Sequence, residues 1–289
     1  MILVDYSQIG MAAYFAAAGK NSDLDLEYFR YIVLNSLRAI NVKFRKKYGD
    51  IVICCDGTNS WRKDMFQYYK GKRRKDRAKD KILWRTIFEY MGVVKEELKN
   101  DFHWTVIDIP KIEGDDVIAT LAFNNIKDYH MVVSSDKDFI QLQCYSDKIQ
   151  QYNNKDNKHV IHNNPKEYLF EHIMRGDSAD GIPNILSDDD TFMVEGKRQK
   201  VISAKKMATW KEMFIIDILD DEDENIKKEL IKKYNRNKKL IDLRHIPDEY
   251  IEMILSEFST THGREYKSLR KYFMDIGLTQ LIEKMKDFK

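Results

Sequence analysis

Short apolar runs alternate with amphipathic helical patterns over the first 160 residues of the chain. The apolar runs predict strands at 2–5, 51–55, 102–109 and 130–135, and two shorter strands that pair at 147–152 and 158–162. Apolar residues at helical spacing predict helices near 25–47 and 82–98, and Asp115 and Asp116 open another. This alternation is typical of an α/β fold with a twisted, mostly parallel sheet flanked by helices.

The pattern changes after Asn163. From there the chain is helical and polar in character, beginning with a helix over 167–175 that ends at Gly176. We therefore predict an α/β core at 1–162 and a helical C-terminal domain at 163–289.

Acidic residues follow the predicted strands and recur in two further motifs. The nine residues concerned are Asp5, Asp56, Glu113, Asp115, Asp116, Asp136, Asp138, Asp177 and Asp180. The carboxyl ends of strands in an open α/β sheet meet at one crevice, so these side chains are predicted to converge. Two unit charges about 4 Å apart repel by roughly 4 kcal/mol at an effective dielectric of 20, so the cluster requires bound cations.

The identity of the cations follows from the ligand type. Oxygen ligands with no nearby histidine or cysteine favour Mg²⁺ or Mn²⁺ over Zn²⁺. Two ions about 3.5–4 Å apart can activate water and stabilise the leaving oxygen of a phosphodiester. Each motif alone is weak, because acids in a first helical turn, such as Asp115 and Asp116, also suit helix capping. The order of all the motifs together predicts a two-metal site.

Positive charge is concentrated in one segment. The net charge of the 289 residues is only +2, but residues 62–85 hold eleven Lys and Arg against three Asp and Glu. This segment therefore carries +8 and the rest of the chain −6. An acidic crevice beside a basic stretch suits a polyanionic substrate that is cut with the help of metal ions.

Aromatic residues lie among these cations. If 61–74 is helical, one side of it carries Arg62, Phe66, Tyr69 and Arg73, and Lys70 adjoins that side. Such a surface can stack on bases while it binds phosphates. The alternative is a solvated basic helix with an aromatic core stripe, and the neighbouring acid cluster favours nucleic-acid binding.

The combined motifs resemble those of the 5′-nuclease superfamily, which includes flap endonucleases and the 5′-nuclease domain of bacterial DNA polymerase I. The matching segments cover nearly the whole chain: Leu3–Gln8, Cys55–Gly57, Arg62, Tyr69–Arg73, Ile112–Asp116, Ser134–Phe139, Gly176–Pro183, Leu240–Pro247 and Gly277–Leu281. The last two segments are similar to the tail of the phage ribonuclease H branch of this superfamily.

This resemblance implies a 5′→3′ exonuclease and flap endonuclease that removes RNA primers during DNA replication. The implied substrates are RNA–DNA hybrids and flap and nicked duplex DNA, and the implied cofactor is two Mg²⁺ ions, with Mn²⁺ as a substitute. The resemblance places the first ion among Asp5, Asp56, Glu113, Asp115 and Asp116. It places the second among Asp136, Asp138, Asp177 and Asp180.

By the same resemblance, the segment 60–81 corresponds to an arch over the active site. Lys70 and Arg73 are expected to steady the scissile phosphate. The strand-contacting residues are expected to be Arg62, Tyr69 and Arg74.

Two departures from the superfamily pattern limit what the resemblance implies. Members of the superfamily commonly follow the Gly-Asp motif with a glycine-rich hairpin that grips duplex DNA, often around K⁺. Here residues 185–192 intervene and only 195–198 resembles the hairpin, so a K⁺ site does not carry over. Duplex contact is implied for Gly196, Lys197, Arg198, Lys205 and Lys206. Single-strand DNA-binding protein and a sliding clamp are implied partners. The chain begins at its first strand, so clamp contact through a preceding extension does not carry over.

Other functions fit the sequence less well. A catalytically silent binder of branched DNA on the same fold would lack motif acids, and all nine are present. A phosphatase of the haloacid-dehalogenase type needs a second Asp two residues from Asp56, where Cys54 and Thr58 stand. There is no signal-peptide pattern, no run of 18 apolar residues and no CxxC motif. We expect a monomer in the reducing cytoplasm without membrane contact.

Overall fold

Six strands form one sheet in the computed structural model, which describes residues 1–18, 25–79, 84–212, 224–263 and 268–289. The strands are β1 (Ile2–Asp5), β2 (Ile51–Cys54), β3 (Thr105–Ile107), β4 (His130–Val133), β5 (Ile149–Asn153) and β6 (Lys158–Val160). Their order is β3-β2-β1-β4-β5-β6, with five parallel strands and β6 antiparallel to β5. The predicted α/β class and mostly parallel sheet are confirmed.

Helices flank this sheet. They are α1 (Tyr6–Ala18), α2 (Leu26–Tyr48), α3 (Arg62–Met65), α4 (Gly71–Lys79), α5 (Trp84–Asp101), α6 (Gly114–Asn124), α7 (Pro165–Arg175), α8 (Ala204–Lys211), α9 (Glu224–Ile241), α10 (Asp248–Thr261) and α11 (Leu269–Asp275). Short 3-10 helices span Lys137–Cys144, Leu243–His245 and Thr279–Phe288. Within the described ranges, none of the helices combines the length and apolar character needed to cross a membrane.

The sequence pattern does not predict α1, which begins directly after Asp5. Much of this helix consists of Ala, Gly and Ser, so its sequence shows no clear apolar and polar faces at helical spacing. A Cβ atom at Gly10 would lie 2.7 Å from Cε of Met91, so glycine lets α1 approach α5 closely. The first turn of α1 places Ser7 and Gln8 beside the carboxyl end of β1.

Two hydrophobic cores lie on opposite faces of the sheet. Ile2 and Val4 of β1 point into the first core, which α1, α2 and α5 cover. Leu3 of the same strand points into the second core, beneath α6. Successive residues of a strand face opposite sides, and all four residues of β1 are buried. Strands covered on both faces read as continuous apolar runs, which is why the sequence identifies them.

The C-terminal segments pack on both faces of the sheet. Phe273 and Phe288 belong to the first core, and Ile254 of α10 belongs to the second. A smaller hydrophobic cluster joins Phe66 and Tyr69 to α7 and α9, so the basic segment packs on these two helices. The predicted division at 162–163 stays a prediction. The segments beyond it share cores with the sheet.

Candidate active site

A cleft of about 1140 Å³ opens where β1, β2 and β4 end. Eight of the nine predicted acids line it: Asp5, Asp56, Glu113, Asp115, Asp136, Asp138, Asp177 and Asp180. Cationic side chains of the basic segment line the same cleft, namely Lys63, Lys70, Arg73 and Arg77. The sheet topology therefore brings the acids together with cations from a separate part of the chain.

The loop after β2 approaches the loop before α6 closely. A Cβ atom at Gly57 would lie 1.9 Å from the carbonyl oxygen of Ile109, so only glycine fits there. The amide of Gly57 donates to the carbonyl of Ile112 at 2.7 Å, and the amide of Gly114 donates to Oδ1 of Asp56 at 2.8 Å. These bonds hold Asp56 at the start of α6, beside Asp115.

Asp5 is a buried acid at the end of β1. The Ser134 hydroxyl donates to its Oδ2 at 2.9 Å and the Gln8 amide to its Oδ1 at 3.1 Å. Burial, and then the charge of Asp56, raise the pKa of Asp5 to about 7. Burial also raises the pKa of Asp115, followed by the charges of Asp136 and Asp5. The acids around Asp5 thus repel one another, and their oxygen-only ligand set fits a hard divalent cation.

A second group of acids contains a histidine. Asp138 lies two residues beyond Asp136, and burial, followed by the charge of Asp136, raises its pKa to about 7. His172 of α7 lies between Asp138 and Asp177, with Nδ1 3.5 Å from Oδ1 of Asp138 and Nε2 3.4 Å from Oδ2 of Asp177. The three residues could hold a metal ion together.

The sequence-based premise that no histidine lies near the acids is therefore wrong. His172 is distant from Asp138 in sequence and belongs to a helix whose contacts only the fold determines. One indication was available in the sequence: His172 lies five residues before Asp177, which is one of the predicted acids.

Asp116 lies behind the cleft, fully buried against Arg62. Arg62 donates from Nη2 to Oδ1 of Asp116 at 2.8 Å and from Nη1 to Oδ2 at 3.0 Å. The Trp61 indole donates to the same Oδ2 at 3.0 Å, and the amide of Glu113 donates to it at 3.1 Å. Asp116 thus caps α6 and neutralises Arg62. Both of its oxygens accept from Arg62, and Asp116 does not line the cleft, which does not fit the predicted role as a metal ligand.

Arg62 and Tyr69 do not fit the predicted strand contacts either, because both side chains are buried. Arg62 also donates to Oε2 of Glu113 at 3.0 Å and to the carbonyl of Leu240 at 3.0 Å. The Tyr69 ring packs with Phe66 in the cluster above α7 and α9. The aromatic core stripe considered as an alternative therefore describes Phe66 and Tyr69, whereas the cations that follow them face the cleft.

The basic segment is not one continuous helix. α3 ends at Met65, and α4 begins at Gly71, after Lys70 adopts a left-handed conformation with φ 54°. The Lys70 amide donates to the carbonyl of Asp180 at 2.7 Å, which fixes this turn against the loop after α7. The turn aims the Lys70 side chain into the cleft.

Glu113 is the acid that meets this turn. Lys70 Nζ pairs with its Oε1, and the Tyr69 hydroxyl donates to its Oε2 at 2.8 Å. Burial alone would raise the pKa of Glu113, but the charges of Lys70 and Arg62 outweigh it and lower the pKa to about 2. Glu113 is therefore an anion at neutral pH and pairs with Lys70 and Arg62.

Arg73 occupies the next position toward the cleft. Its Nη2 lies 2.7 Å from Oδ1 of Asp180, and its side chain is 40% exposed. The guanidinium is therefore held at one end and open to solvent at the other. The side chain of Arg74 lies outside the described residues.

The predicted duplex-contacting residues do not line the cleft. Lys197 is paired with Asp188 at 2.9 Å and with Asp190 at 2.5 Å. Gly196 turns the chain with φ 76°. Arg198 is exposed, and Lys205 and Lys206 are exposed in the first turn of α8.

Comparison with known families identifies this arrangement. Residues 1–171 match the family described as 5′-3′ exonuclease, N-terminal resolvase-like domain. The chain belongs to this family. Residues 165–288 match a second family, described as T4 RNase H, C terminal.

Individual relatives agree with this membership in the 5′-3′ exonuclease family. Ribonuclease H of Enterobacteria phage T4 is 30% identical over 298 residues, covering 99% of this chain and 95% of that protein. The fold is similar to that of phage T5 5′-exonuclease with bound zinc, with a TM-score of 0.61 and 18% identity over 96% of this chain and 98% of that one. It is also similar to a phage T5 flap endonuclease in complex with DNA and metal ions, with a TM-score of 0.63, 16% identity and the same coverage.

Proposed function

We propose that this chain is a Mg²⁺-dependent 5′→3′ exonuclease and flap endonuclease that hydrolyses phosphodiesters of RNA–DNA and DNA duplexes. The observation that carries the proposal is one cleft in which eight acids face the cations Lys70 and Arg73. The 30% identity to a phage ribonuclease H over almost the whole chain supports removal of RNA primers during replication as its role.

Divalent cations fit the acids of the cleft. The first ion would lie among Asp5, Asp56 and Asp115, whose mutual repulsion it would relieve. Glu113, which the resemblance also places there, is paired with Lys70. The second ion would lie beside Asp136 and Asp138. Asp177, which the resemblance also places there, faces His172, and Asp180 is paired with Arg73. When bound, the two ions would supply activation of water and stabilisation of the leaving oxygen.

Lys70 and Arg73 act on the phosphate itself. Each is anchored through an acid on the protein side, Lys70 by Glu113 and Arg73 by Asp180. Burial would lower the pKa of Lys70, but Asp180 and Glu113 raise it, so the amino group stays charged. A charged donor that is already oriented stabilises the negative charge that develops on the phosphate during attack.

Arg62 and Asp116 position Glu113 and, through it, Lys70. The Arg62 guanidinium joins Asp116 at the start of α6 to Glu113, and Glu113 joins Lys70. Both residues are buried, so we assign them a structural role instead of contact with metal or strand.

Duplex DNA beyond the cut site would contact the exposed cations near α8. Arg198, Lys205 and Lys206 are exposed, whereas Lys197 forms ion pairs with Asp188 and Asp190. Phosphate contacts of this kind add affinity without sequence preference.

Cleavage of 5′-labelled flap, nicked and RNA-primed duplexes tests the proposal, with Mg²⁺, with Mn²⁺ and with EDTA. We expect cleavage with either ion and none with EDTA, and Asp136→Asn should abolish cleavage while it leaves DNA binding intact. Binding of branched DNA without cleavage in any ion would instead support the silent binder on the same fold.

A further inference from the structure

His172 is placed to bind a metal ion, although the residues around it are otherwise oxygen ligands. It lies in the last turns of α7, and its side chain is 14% exposed between Asp138 and Asp177. We propose that His172 is a nitrogen ligand of the second divalent cation, shared with Asp138, and that it shifts the preference of this site from Mg²⁺ toward Mn²⁺ and Co²⁺. The inference rests on the proposed function, because it concerns one of the two ions of that mechanism.

The distance from Nδ1 of His172 to Asp138 is longer than that of a strong hydrogen bond. Nδ1 lies 3.5 Å from Oδ1 of Asp138, and Nε2 lies 3.4 Å from Oδ2 of Asp177. Strong N–H···O bonds are about 2.7–3.2 Å long. Two ligand atoms that each lie about 2.0–2.1 Å from one ion are separated by about 3–3.4 Å. Nδ1 of His172 and Oδ1 of Asp138, which lie 3.5 Å apart, are therefore within about 0.1 Å of the largest spacing of two ligands of one such ion.

The two nitrogens of the ring have different partners. Nδ1 is buried and has no hydrogen-bond partner among the described residues. Nε2 faces Asp177, whose Oδ1 accepts from the amides of Ala179 at 2.7 Å and Asp180 at 3.2 Å. A histidine ligand commonly donates from its second nitrogen to a carboxylate, which fixes its tautomer. Asp177 is held in that position, so Nδ1 remains available for the ion.

An ion at this position would be accessible from solvent. A groove of about 390 Å³ lies beside it and is lined by His172, Tyr168, Asp138 and Asp177. Imidazole suits transition ions, whereas Mg²⁺ prefers oxygen ligands and retains its waters. The site around His172 should therefore bind Mn²⁺ or Co²⁺ more tightly than the oxygen-only site around Asp5 does, relative to Mg²⁺.

Pulsed EPR of bound Mn²⁺ tests this directly, without reference to activity. The protein is labelled with ¹⁵N-histidine and loaded with two equivalents of Mn²⁺, and the same measurement is made on His172→Gln and His162→Gln. We expect an imidazole nitrogen coupling in the wild type that changes with the label, persists in His162→Gln and disappears in His172→Gln. His162 is the matched control, since it lies near α7 and its Nδ1 accepts from the amide of Asn164.

Titration with Mn²⁺ gives the second readout. Loss of the ligand should weaken one class of Mn²⁺ sites by about tenfold or more. Absence of nitrogen coupling in the wild type, or its persistence in His172→Gln, would overturn the inference. Tighter Mn²⁺ binding by His172→Gln would also overturn it, because His172 would then be a cation that occupies the place of the ion. The wild-type spectrum decides even where His172→Gln does not fold.

Flap cleavage is measured separately on the same preparations. Cleavage in Mg²⁺ without any nitrogen coupling in the Mn²⁺ spectrum would remove the inference and leave the proposed function standing. Nitrogen coupling without cleavage in any ion would remove the proposed function and leave the metal ligand standing.

Discussion

Replacing Asp116 by asparagine removes the main negative charge that faces the buried Arg62. Asp136→Asn makes the same chemical change among the acids of the cleft. If Asp116 is structural, Asp116→Asn should destabilise the protein, whereas Asp136→Asn should not. If both residues bind metal, the two variants should behave alike in EDTA.

The magnitude follows from the burial of the pair. Arg62 and Asp116 side chains are 4% and 0% exposed, and two hydrogen bonds join them at 2.8 and 3.0 Å. Removing one partner of a buried ion pair costs about 3–5 kcal/mol, because the other charge stays buried. Asparagine keeps one acceptor oxygen and Glu113 still faces Arg62, so we expect a loss of about 3 kcal/mol in the free energy of unfolding. Asp136→Asn instead removes a repulsive charge from Asp115 and Asp138, which favours an unchanged or higher stability.

Urea unfolding in EDTA, followed by circular dichroism, measures this difference. With a denaturant slope of about 2 kcal/mol per molar urea, the midpoint of Asp116→Asn should fall by about 1.5 M. Equal midpoints for Asp116→Asn and the wild type would refute the structural assignment. So would a loss of Mn²⁺ binding in Asp116→Asn at unchanged stability.

Three further predictions concern the cations and Glu113. Lys70→Ala should lower the single-turnover cleavage rate by about 10²–10³-fold, with a much smaller effect on the dissociation constant for flap DNA. The control Lys72→Ala, at an exposed neighbouring position, should change neither the rate nor the dissociation constant greatly. The lowered pKa of Glu113 stabilises the fold above its unfolded pKa, and this contribution of about 3 kcal/mol is lost as the pH falls from about 4.5 to 2. Thermal unfolding of Glu113→Gln should therefore depend less steeply on pH in that range, and equal slopes would contradict the assignment. Substituting Lys205 and Lys206 together by alanine should weaken duplex binding equally for all sequences and reduce the salt slope by about 2; an unchanged slope would place the duplex elsewhere.

The pattern of apolar and acidic residues predicted the strands and the acids that follow them, because the strands are buried and the acids lie at their ends. β1, β2 and β4 are buried along their lengths, so they appear as apolar runs, and parallel strands bring the acids after them to one edge. This reasoning accounts for Asp5, Asp56 and Asp136 in the cleft, because they follow the ends of those strands, whereas Lys70, Asp177 and Asp180 were predicted from the resemblance. It did not predict α1, whose small residues lack a polar face.

Roles that depend on side-chain direction were decided only by the tertiary structure. Asp115 and Asp116 are adjacent in the chain, but one turns into the cleft and the other toward Arg62, because successive residues of a helix point about 100° apart. Arg62 reads as a surface cation until packing against α9 buries it, and His172 has no sequence neighbour among the acids after β4. By itself the sequence determined the sheet, the presence of the acid cleft and the basic segment beside it. The tertiary structure decided which charges neutralise each other inside the protein and which remain for metal and phosphate, since that depends on distances between residues far apart in the chain.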